Sequence, residues 1–221
     1  MEWWHRGGAN VGIRLVSFDL DGTLFPETTT CMELGRCLGH IDVITRLEEQ
    51  YKNCEITNAQ VAEGDAFAYT GKPVAEIEAS ILLIPTIRGL AETVFALHEH
   101  GISTLVVTVS WSFAARALAK KHGMAGYAGT EMIEENGILA GRVGQHFEAE
   151  DKVRFVRAFA RERGFGLDQC AAIGDSRSDI PLFKEVGFSI ALNGTEQARA
   201  AATRSLQTDD LRDVLPLLLR R

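Results

Sequence analysis

The chain has 221 residues, of which 46% are hydrophobic and 24% are charged, and its formal net charge is −7. These values are close to the averages for globular proteins, so they exclude a disordered or fibrous chain and allow one domain, or a core with a smaller insertion. The negative charge argues against a nucleic-acid partner, because proteins of that class carry a basic face.

Neither a membrane span nor a secretory signal is evident in the chain. No apolar run approaches the roughly 18 residues that a spanning helix needs, and the first residues lack the apolar centre of a signal peptide. The four cysteines show no paired CxxC spacing, which favours reduced thiols over a zinc site. We therefore expect no membrane partner, a cytoplasmic location, and a monomer or a homodimer. The Trp3-Trp4 pair could be a packing anchor or simply residues of the start site.

The first predicted element is a buried strand over 13–20, which ends in an Asp-Gly-Thr turn. From 26 to 88 the hydrophobic period becomes helical, with breaks expected near Gly39, Gly64 and 71–73. This pattern predicts a helical insertion directly after the first strand.

Strands and helices alternate in the remainder of the chain. Strands are predicted over 102–109, 170–173 and 188–192, and the Asn136-Gly137 pair indicates a hairpin. Alternation of this kind predicts an α/β fold in which helices cover both faces of a parallel sheet. Ligands of such folds bind at the carboxyl ends of the strands, so the residues after each strand are the candidates for function.

Two carboxylates follow the first strand. Asp19 and Asp21 are two residues apart, so in an extended segment their side chains point the same way. Like charges at that spacing repel each other, and Mg²⁺ would relieve the conflict because it prefers oxygen ligands. An ordinary polar turn is the alternative interpretation.

A second acidic motif, Gly-Asp-Ser-Arg-Ser-Asp, follows the strand over 170–173. Asp175 is expected at the pocket, because Gly174 permits a tight turn there. Asp179 stands where a helix would begin, so it could also serve as an N-cap.

Two further positions could bind an anion. Ser110 follows the strand over 102–109 and precedes a helix predicted over 111–122, where a hydroxyl and backbone N–H groups can bind phosphate, although it could be an ordinary N-cap and Thr108 competes with it. Lys152 lies in the first turn of a helix, where a cation is disfavoured by the helix dipole. It either serves a phosphate or pairs with Glu148 or Asp151.

In this order the motifs resemble the haloacid dehalogenase superfamily, and within it the phosphoserine phosphatase branch. The resemblance covers about 13–219 and depends on Asp-Leu-Asp-Gly-Thr-Leu from Asp19, on Ser110, on Lys152, and on the motif from Gly174 to Asp179. The segment Ser-Trp-Ser-Phe keeps only the ends of the branch's SGGF pattern, so Trp111 replaces a glycine whose backbone approaches phosphate. Glu27 stands one residue before the position of the branch's amine-binding glutamate, and a clear cap arginine is missing.

The resemblance implies a Rossmann-like core of residues 1–25 and 89–221, with a small helical cap of residues 26–88. It further implies a Mg²⁺-dependent phosphatase that hydrolyses a small phosphorylated metabolite, a phosphomonoester such as phosphoserine, through a phosphoaspartyl intermediate. The implied roles are: Asp19, nucleophile; Asp21, acid and base; Ser110 and Lys152, phosphate contacts; Asp19, Asp175 and the backbone carbonyl of Asp21, metal ligands; Asp179, support behind them; Glu27 and Trp111, substrate contacts.

Two alternatives stay open at this point. A phosphotransferase of the same family would pass the phosphoryl group to a second substrate in place of water. A catalytically weak protein would retain the fold but serve in binding instead of catalysis. A dehalogenase fits less well, because Asp21 and the phosphate contacts would have no purpose in it.

Overall fold

The computed structural model describes residues 12–219, so the predicted anchor at Trp3 and Trp4 lies outside the described residues. Within that range seven strands form one sheet in the order β4-β3-β2-β1-β5-β6-β7, and the pairing of neighbours is parallel except between β3 and β4. The strands are β1 Leu15–Phe18, β2 Ser103–Trp111, β3 Gly126–Glu135, β4 Ile138–Gln145, β5 Cys170–Gly174, β6 Phe188–Leu192 and β7 Arg204–Leu206.

Helices pack on both faces of this sheet, as the α/β prediction requires. The described helices are α1 Thr30–Leu38, α2 Ile41–Lys52, α3 Asn58–Ala66, α4 Val74–Ile81, α5 Leu90–Glu99, α6 Ser112–His122, α7 Ala149–Glu162, α8 Ile180–Glu185, α9 Glu196–Ala201 and α10 Leu215–Leu219. Val16 packs with α5, α6 and α10 on one face, whereas Leu15 packs with α7, α8 and α9 on the other. All four residues of β1 are buried, as expected for a central parallel strand. The Rossmann-like α/β fold is therefore confirmed.

The helices α1–α4, which we call the inserted helices, lie between β1 and α5 in the chain. The segment leaves and rejoins the core at adjacent points, since the Ile87 N–H donates to the Leu24 carbonyl at 2.9 Å. It also bonds to the β3-β4 hairpin through Leu139, whose N–H donates to the Lys72 carbonyl at 2.9 Å. The division into a core and a cap over 26–88 stays a prediction.

Three details of the sequence prediction were wrong. Gly64 does not break a helix but lies inside α3, where a Cβ would come within 2.8 Å of Leu47, so the glycine allows α2 and α3 to pack closely. The helix predicted from Trp111 begins at Ser112 because β2 continues through Trp111. The short α9 and β7 were not predicted.

Across 12–219, every helix is too short or too polar to cross a bilayer.

Candidate active site

Three strand ends meet at one edge of the sheet, beneath the inserted helices. Asp19 follows β1, Ser110 lies near the end of β2, and Asp175 follows β5. The Asp19 N–H donates to the Ile173 carbonyl at 2.8 Å, which extends the ladder one residue beyond β1 and fixes the start of the acidic turn. A cavity of about 1080 Å³ opens above this edge, with the inserted helices forming its other wall.

The floor of the cavity is a cluster of three carboxylates around one lysine. Asp19, Asp175 and Asp179 each offer an oxygen within 4.8 Å of the others. The ammonium of Lys152 is fully buried and donates to Asp19 Oδ1 at 2.6 Å and to Asp179 Oδ1 at 2.7 Å. Lys152 therefore pairs with Asp19 and Asp179, and not with Glu148 or Asp151. The Asp151 carboxylate instead accepts from the Glu148 backbone N–H at 2.9 Å.

The pKa shifts in this cluster follow from burial and from the crowding of like charges. Burial, followed by repulsion from Asp179, raises the pKa of Asp19 well above its usual range, although Lys152 opposes the shift. Burial and Asp179 likewise raise the pKa of Asp175 to about 7. Burial lowers the pKa of Lys152, but the attraction of Asp179 and Asp19 outweighs it, and the net pKa is raised.

These groups suit a divalent cation. Three ionised carboxylates and one ammonium leave a surplus of two negative charges in a buried place, which is costly unless a cation compensates it. Oxygen donors favour a hard ion such as Mg²⁺. Asp179 is already engaged, since its Oδ2 accepts from the backbone N–H groups of Asp175 at 3.1 Å and Ser176 at 3.2 Å. Asp19 and Asp175 are therefore better placed than Asp179 to hold a metal.

Two glycines let the acidic side chains approach the backbone. Gly22 has φ +81°, and a Cβ there would come within 2.5 Å of Asp175 Oδ2. Gly174 has a negative φ, so its backbone does not require a glycine. A glycine is needed there for space, because a Cβ would overlap the Asp179 carboxylate. Thr23 completes this corner by donating to Asp175 Oδ1 at 3.1 Å.

Asp21 is not part of the cluster and is held by the first turn of α1. Its Oδ1 accepts from the Thr30 N–H at 2.7 Å and from the Thr30 hydroxyl at 2.6 Å. Burial raises the pKa of Asp21, and the bonds from Thr30 and Ser110 lower it only in part. The result is an oriented carboxyl group that holds its proton more tightly than an exposed one. Its predicted share in holding a metal, through the backbone carbonyl, stays a prediction.

Ser110 is held in the extended end of β2 and does not cap α6. Its N–H donates to the Thr108 hydroxyl at 3.0 Å, and its own hydroxyl lies 3.8 Å from Cys31 Sγ of α1. Thr108, the competing candidate, is buried, and its hydroxyl supports the backbone of Ser110. Both the core and the inserted helices contact this serine.

The two predicted substrate contacts occupy different environments. Glu27 is exposed at the cavity wall with φ 62°, a left-handed conformation that non-glycine residues seldom adopt. Trp111 is only 1% exposed, and its indole lies against Phe113 and Tyr69, although the residue is among those that line the cavity. A substrate contact by Trp111 stays a prediction, and the burial of its ring favours the backbone for that role. That backbone has φ −67° and ψ 128°, which a tryptophan adopts without strain.

Sequence reasoning missed the residues that the inserted helices bring to the site. Thr30 binds Asp21, Glu48 lines the cavity, and Asp65 binds the Trp111 indole. A signal for Asp65 was present, because it shares one face of α3 with the buried Val61 and Ala62. An acid on an apolar helix face needs a partner.

Comparison with known proteins agrees with this geometry. The haloacid dehalogenase-like hydrolase family matches residues 16–184. A phosphoserine phosphatase of Archaeoglobus fulgidus is 31% identical over 90% of the chain, which spans 58% of that relative's length. One of Methanocaldococcus jannaschii is 25% identical, and the alignment covers 91% of the chain and 96% of the relative.

A solved structure described as a phospho-aspartyl intermediate analogue of phosphoserine phosphatase has the same fold. Its TM-score is 0.81 at 23% identity, and the match covers 94% of this chain and 99% of that one.

Proposed function

Because the chain belongs to the haloacid dehalogenase-like hydrolase family, we propose that it is a Mg²⁺-dependent phosphatase that hydrolyses a small phosphomonoester through a phosphoaspartyl intermediate on Asp19. The observation that carries the proposal is the buried carboxylate cluster with its lysine, at the strand ends under a cavity of about 1080 Å³. Phosphoserine is the first substrate to test, since several relatives bear that name. A cytoplasmic location and a monomeric or homodimeric state belong to the same proposal.

The first half of the reaction uses both acids after β1. A carboxylate oxygen of Asp19 attacks phosphorus, and the bond from phosphorus to the leaving oxygen breaks. Asp21 donates its proton to that oxygen. Its raised pKa suits this role, because it enlarges the protonated fraction near neutral pH, and the Thr30 bonds fix the direction of the carboxyl group.

The second half reverses the role of Asp21. Now ionised, it takes a proton from water, which attacks phosphorus and breaks the bond to Asp19, so that inorganic phosphate leaves. The Ser110 hydroxyl and the Lys152 ammonium are the donors proposed for the phosphoryl oxygens. Mg²⁺ bound by Asp19, Asp175 and the backbone carbonyl of Asp21 would keep Asp19 ionised and offset charge on the phosphoryl oxygens.

The inserted helices act, in this proposal, as a cap that excludes water and selects the leaving group. Arg177 links the loop after β5 to the end of α2, where its guanidinium lies 4.0 Å from the Tyr51 ring centre and donates to the Tyr51 carbonyl at 2.7 Å. This contact lies at the cavity wall, where a closing cap would meet the core.

The decisive variant is Asp19→Asn, assayed with an aryl phosphate and with phosphoserine in excess Mg²⁺. We expect turnover to fall by about 10³-fold or more, because the amide is a poor nucleophile. Asp168→Asn is the matched control, since Asp168 is exposed beside the start of β5, at the opposite edge of the sheet, and should change turnover by less than about two-fold. Retention of a tenth of the activity by Asp19→Asn would refute the mechanism.

Metal binding is tested separately, by calorimetric titration of Mg²⁺. Asp175→Asn should weaken the affinity by about ten-fold or more, since it removes a charged ligand. Unchanged affinity would show that the metal binds elsewhere. Addition of acceptor alcohols distinguishes the phosphotransferase alternative, because that enzyme would form a new phosphate ester while a phosphatase releases inorganic phosphate.

A further inference from the structure

Asp65 is a carboxylate buried in the inserted helices, away from the cluster that the proposed mechanism uses. It is 0% exposed and belongs to α3. Its Oδ2 accepts from the Trp111 indole N–H at 2.7 Å and from the Tyr69 hydroxyl at 3.0 Å, while its Oδ1 lies 2.8 Å from His40 Nε2. Burial raises the pKa of Tyr69, which keeps that phenol a donor. The side chains of Tyr69, one helical turn away, and of His40 and Trp111, which are farther away in the sequence, therefore converge on one carboxylate.

Trp111 is the one of these partners that belongs to the core. It is the last residue of β2 and directly follows Ser110. Its ring is stacked on Phe113 with an angle of 11° between the planes and meets the edge of Tyr69 at 66°. A ring packed on these sides and bonded at its nitrogen cannot shift without moving the backbone to which Ser110 is joined.

A second contact leads from the inserted helices to the same serine. Cys31 of α1 lies 3.8 Å from the Ser110 hydroxyl, and burial followed by the nearby Asp65 raises the pKa of the Cys31 thiol well above its usual range. Cys31 therefore stays a neutral thiol beside both groups. From the core side, the backbone of Ser110 is held through the Thr108 hydroxyl, and its side chain bonds to Asp21.

We propose that Asp65 is a positioning residue: through its bond to Trp111 it fixes Ser110 and makes the phosphate-binding end of β2 depend on the inserted helices. The proposal rests on the phosphatase function for the role of Ser110, but not for the coupling itself. It assigns the buried Trp111 indole a structural role beside Ser110. Because Trp111 is bulky and adjoins Ser110, the inserted helices can influence the proposed phosphate site through it.

The two oxygens of Asp65 suggest a conservative and a disruptive variant. In Asp65→Asn the amide oxygen can take the place of Oδ2 and accept from both Trp111 and Tyr69, while the amide N–H groups face His40. In Asp65→Leu the shape is similar, but both buried donors lose their acceptor. We expect kcat/KM for an aryl phosphate to stay within about three-fold in Asp65→Asn and to fall by about 10- to 100-fold in Asp65→Leu.

Trp111→Phe and Tyr69→Phe form the matched pair that separates positioning from general stabilisation. Each removes one buried donor from the same oxygen of Asp65 and keeps an aromatic ring. Only Trp111 is joined to Ser110. We expect Trp111→Phe to lower kcat/KM by about ten-fold, and Tyr69→Phe to change it by less than about two-fold, while both lower stability in urea to a similar extent.

A readout without turnover keeps the inference separate from the proposed function. The backbone amide resonance of Ser110, measured by ¹H–¹⁵N NMR in the full chain, should shift in Asp65→Leu and hold its position in Asp65→Asn, since neither variant alters a chain neighbour of Ser110. If wild type shows no phosphatase activity but this difference is found, the function fails and the coupling stands. Equal effects of the two variants on both kcat/KM and the Ser110 amide would overturn the inference and leave Asp65 a structural residue only. If Asp65→Leu does not fold, equal kcat/KM values in Trp111→Phe and Tyr69→Phe would overturn the inference.

Discussion

The floor of the cavity and the inserted helices above it both bury carboxylates, but they compensate them differently. In the floor, three carboxylates surround the ammonium of Lys152. In the inserted helices, Asp65 receives the N–H and O–H groups of Trp111 and Tyr69 together with His40. The floor can gain or lose charge during a reaction, because a cation or a proton can enter it. Asp65 is surrounded by hydrogen-bonding groups in fixed positions, and this arrangement suits a structural role.

The largest effect is expected from breaking the floor, with Lys152→Met. The variant leaves Asp19 and Asp179 facing each other in a buried place without their cation. We expect the free energy of unfolding to drop by about 3–5 kcal/mol in metal-free protein at pH 8, measured in urea, and turnover to fall by about 10²- to 10³-fold.

Lys120→Met is the control for that experiment, since Lys120 is exposed on α6 and its loss should change neither quantity measurably. Equal stability of Lys152→Met and wild type would mean that the floor does not depend on its lysine.

An intermediate effect is expected at Glu48, a cavity-lining residue of α2. Burial raises its pKa from an ordinary value of 4.5 to about 7, and the nearby Asp21 and Asp65 add to the shift, while the Thr29 hydroxyl opposes it. The folded chain therefore holds this proton more tightly than the unfolded chain. Its stabilising contribution is complete below pH 4.5 and is lost as pH rises through about 7.

Glu48→Gln removes the loss of stability that wild type suffers as pH rises through about 7. The variant should be more stable than wild type by about 2 kcal/mol at pH 8, with a smaller difference at pH 5, in urea unfolding at both pH values. Glu49→Gln is the control, because Glu49 is exposed one residue away. The same slope of stability against pH in Glu48→Gln and wild type would contradict the prediction.

The smallest effect is expected at Arg177, which joins the two regions at their margin. Arg177→Gln removes the contact with the Tyr51 ring and the bond to its carbonyl. Arg177 and Tyr51 are half-buried at the surface, and contacts of this kind contribute about 0.5–1 kcal/mol, so stability should change little. KM should rise by about two- to five-fold if the contact helps close the cap.

Arg157→Gln, which removes an exposed ion pair with Glu185 on the far side of the core, should leave KM unchanged. A wild-type KM in Arg177→Gln would show that this contact does not govern closure.

The sequence predicted the residues of the floor far better than it predicted the side-chain contacts of the inserted helices. Asp19, Ser110 and Asp175 come at the ends of apolar strands, so the topology of a parallel sheet brings them together without knowledge of packing. The partner of Lys152 could not be chosen from sequence, because Asp19 and Asp179 reach it only through the folded chain.

Asp65 was missed because its partners carry no motif and Trp111, the partner in the core, is 46 residues away in the sequence. Nothing local links position 65 to Trp111, and the tryptophan was given a substrate role because it adjoins Ser110. Gly64 was predicted to break a helix on its propensity, and the packing of Leu47 against it outweighed that propensity. The strand β7 has three residues and little burial, so it offered no hydrophobic pattern to detect.

The central position of β1 also constrains the order in which the molecule can assemble. Leu15 pairs with Ser103 on one side and with Cys170 on the other. During synthesis this strand emerges before either neighbour, and most of the chain up to Cys170 must follow before the second neighbour is available. Until then one edge of a strand that is fully buried in the folded chain has no partner, so we expect the segment around Leu15–Phe18 to need protection from aggregation during synthesis.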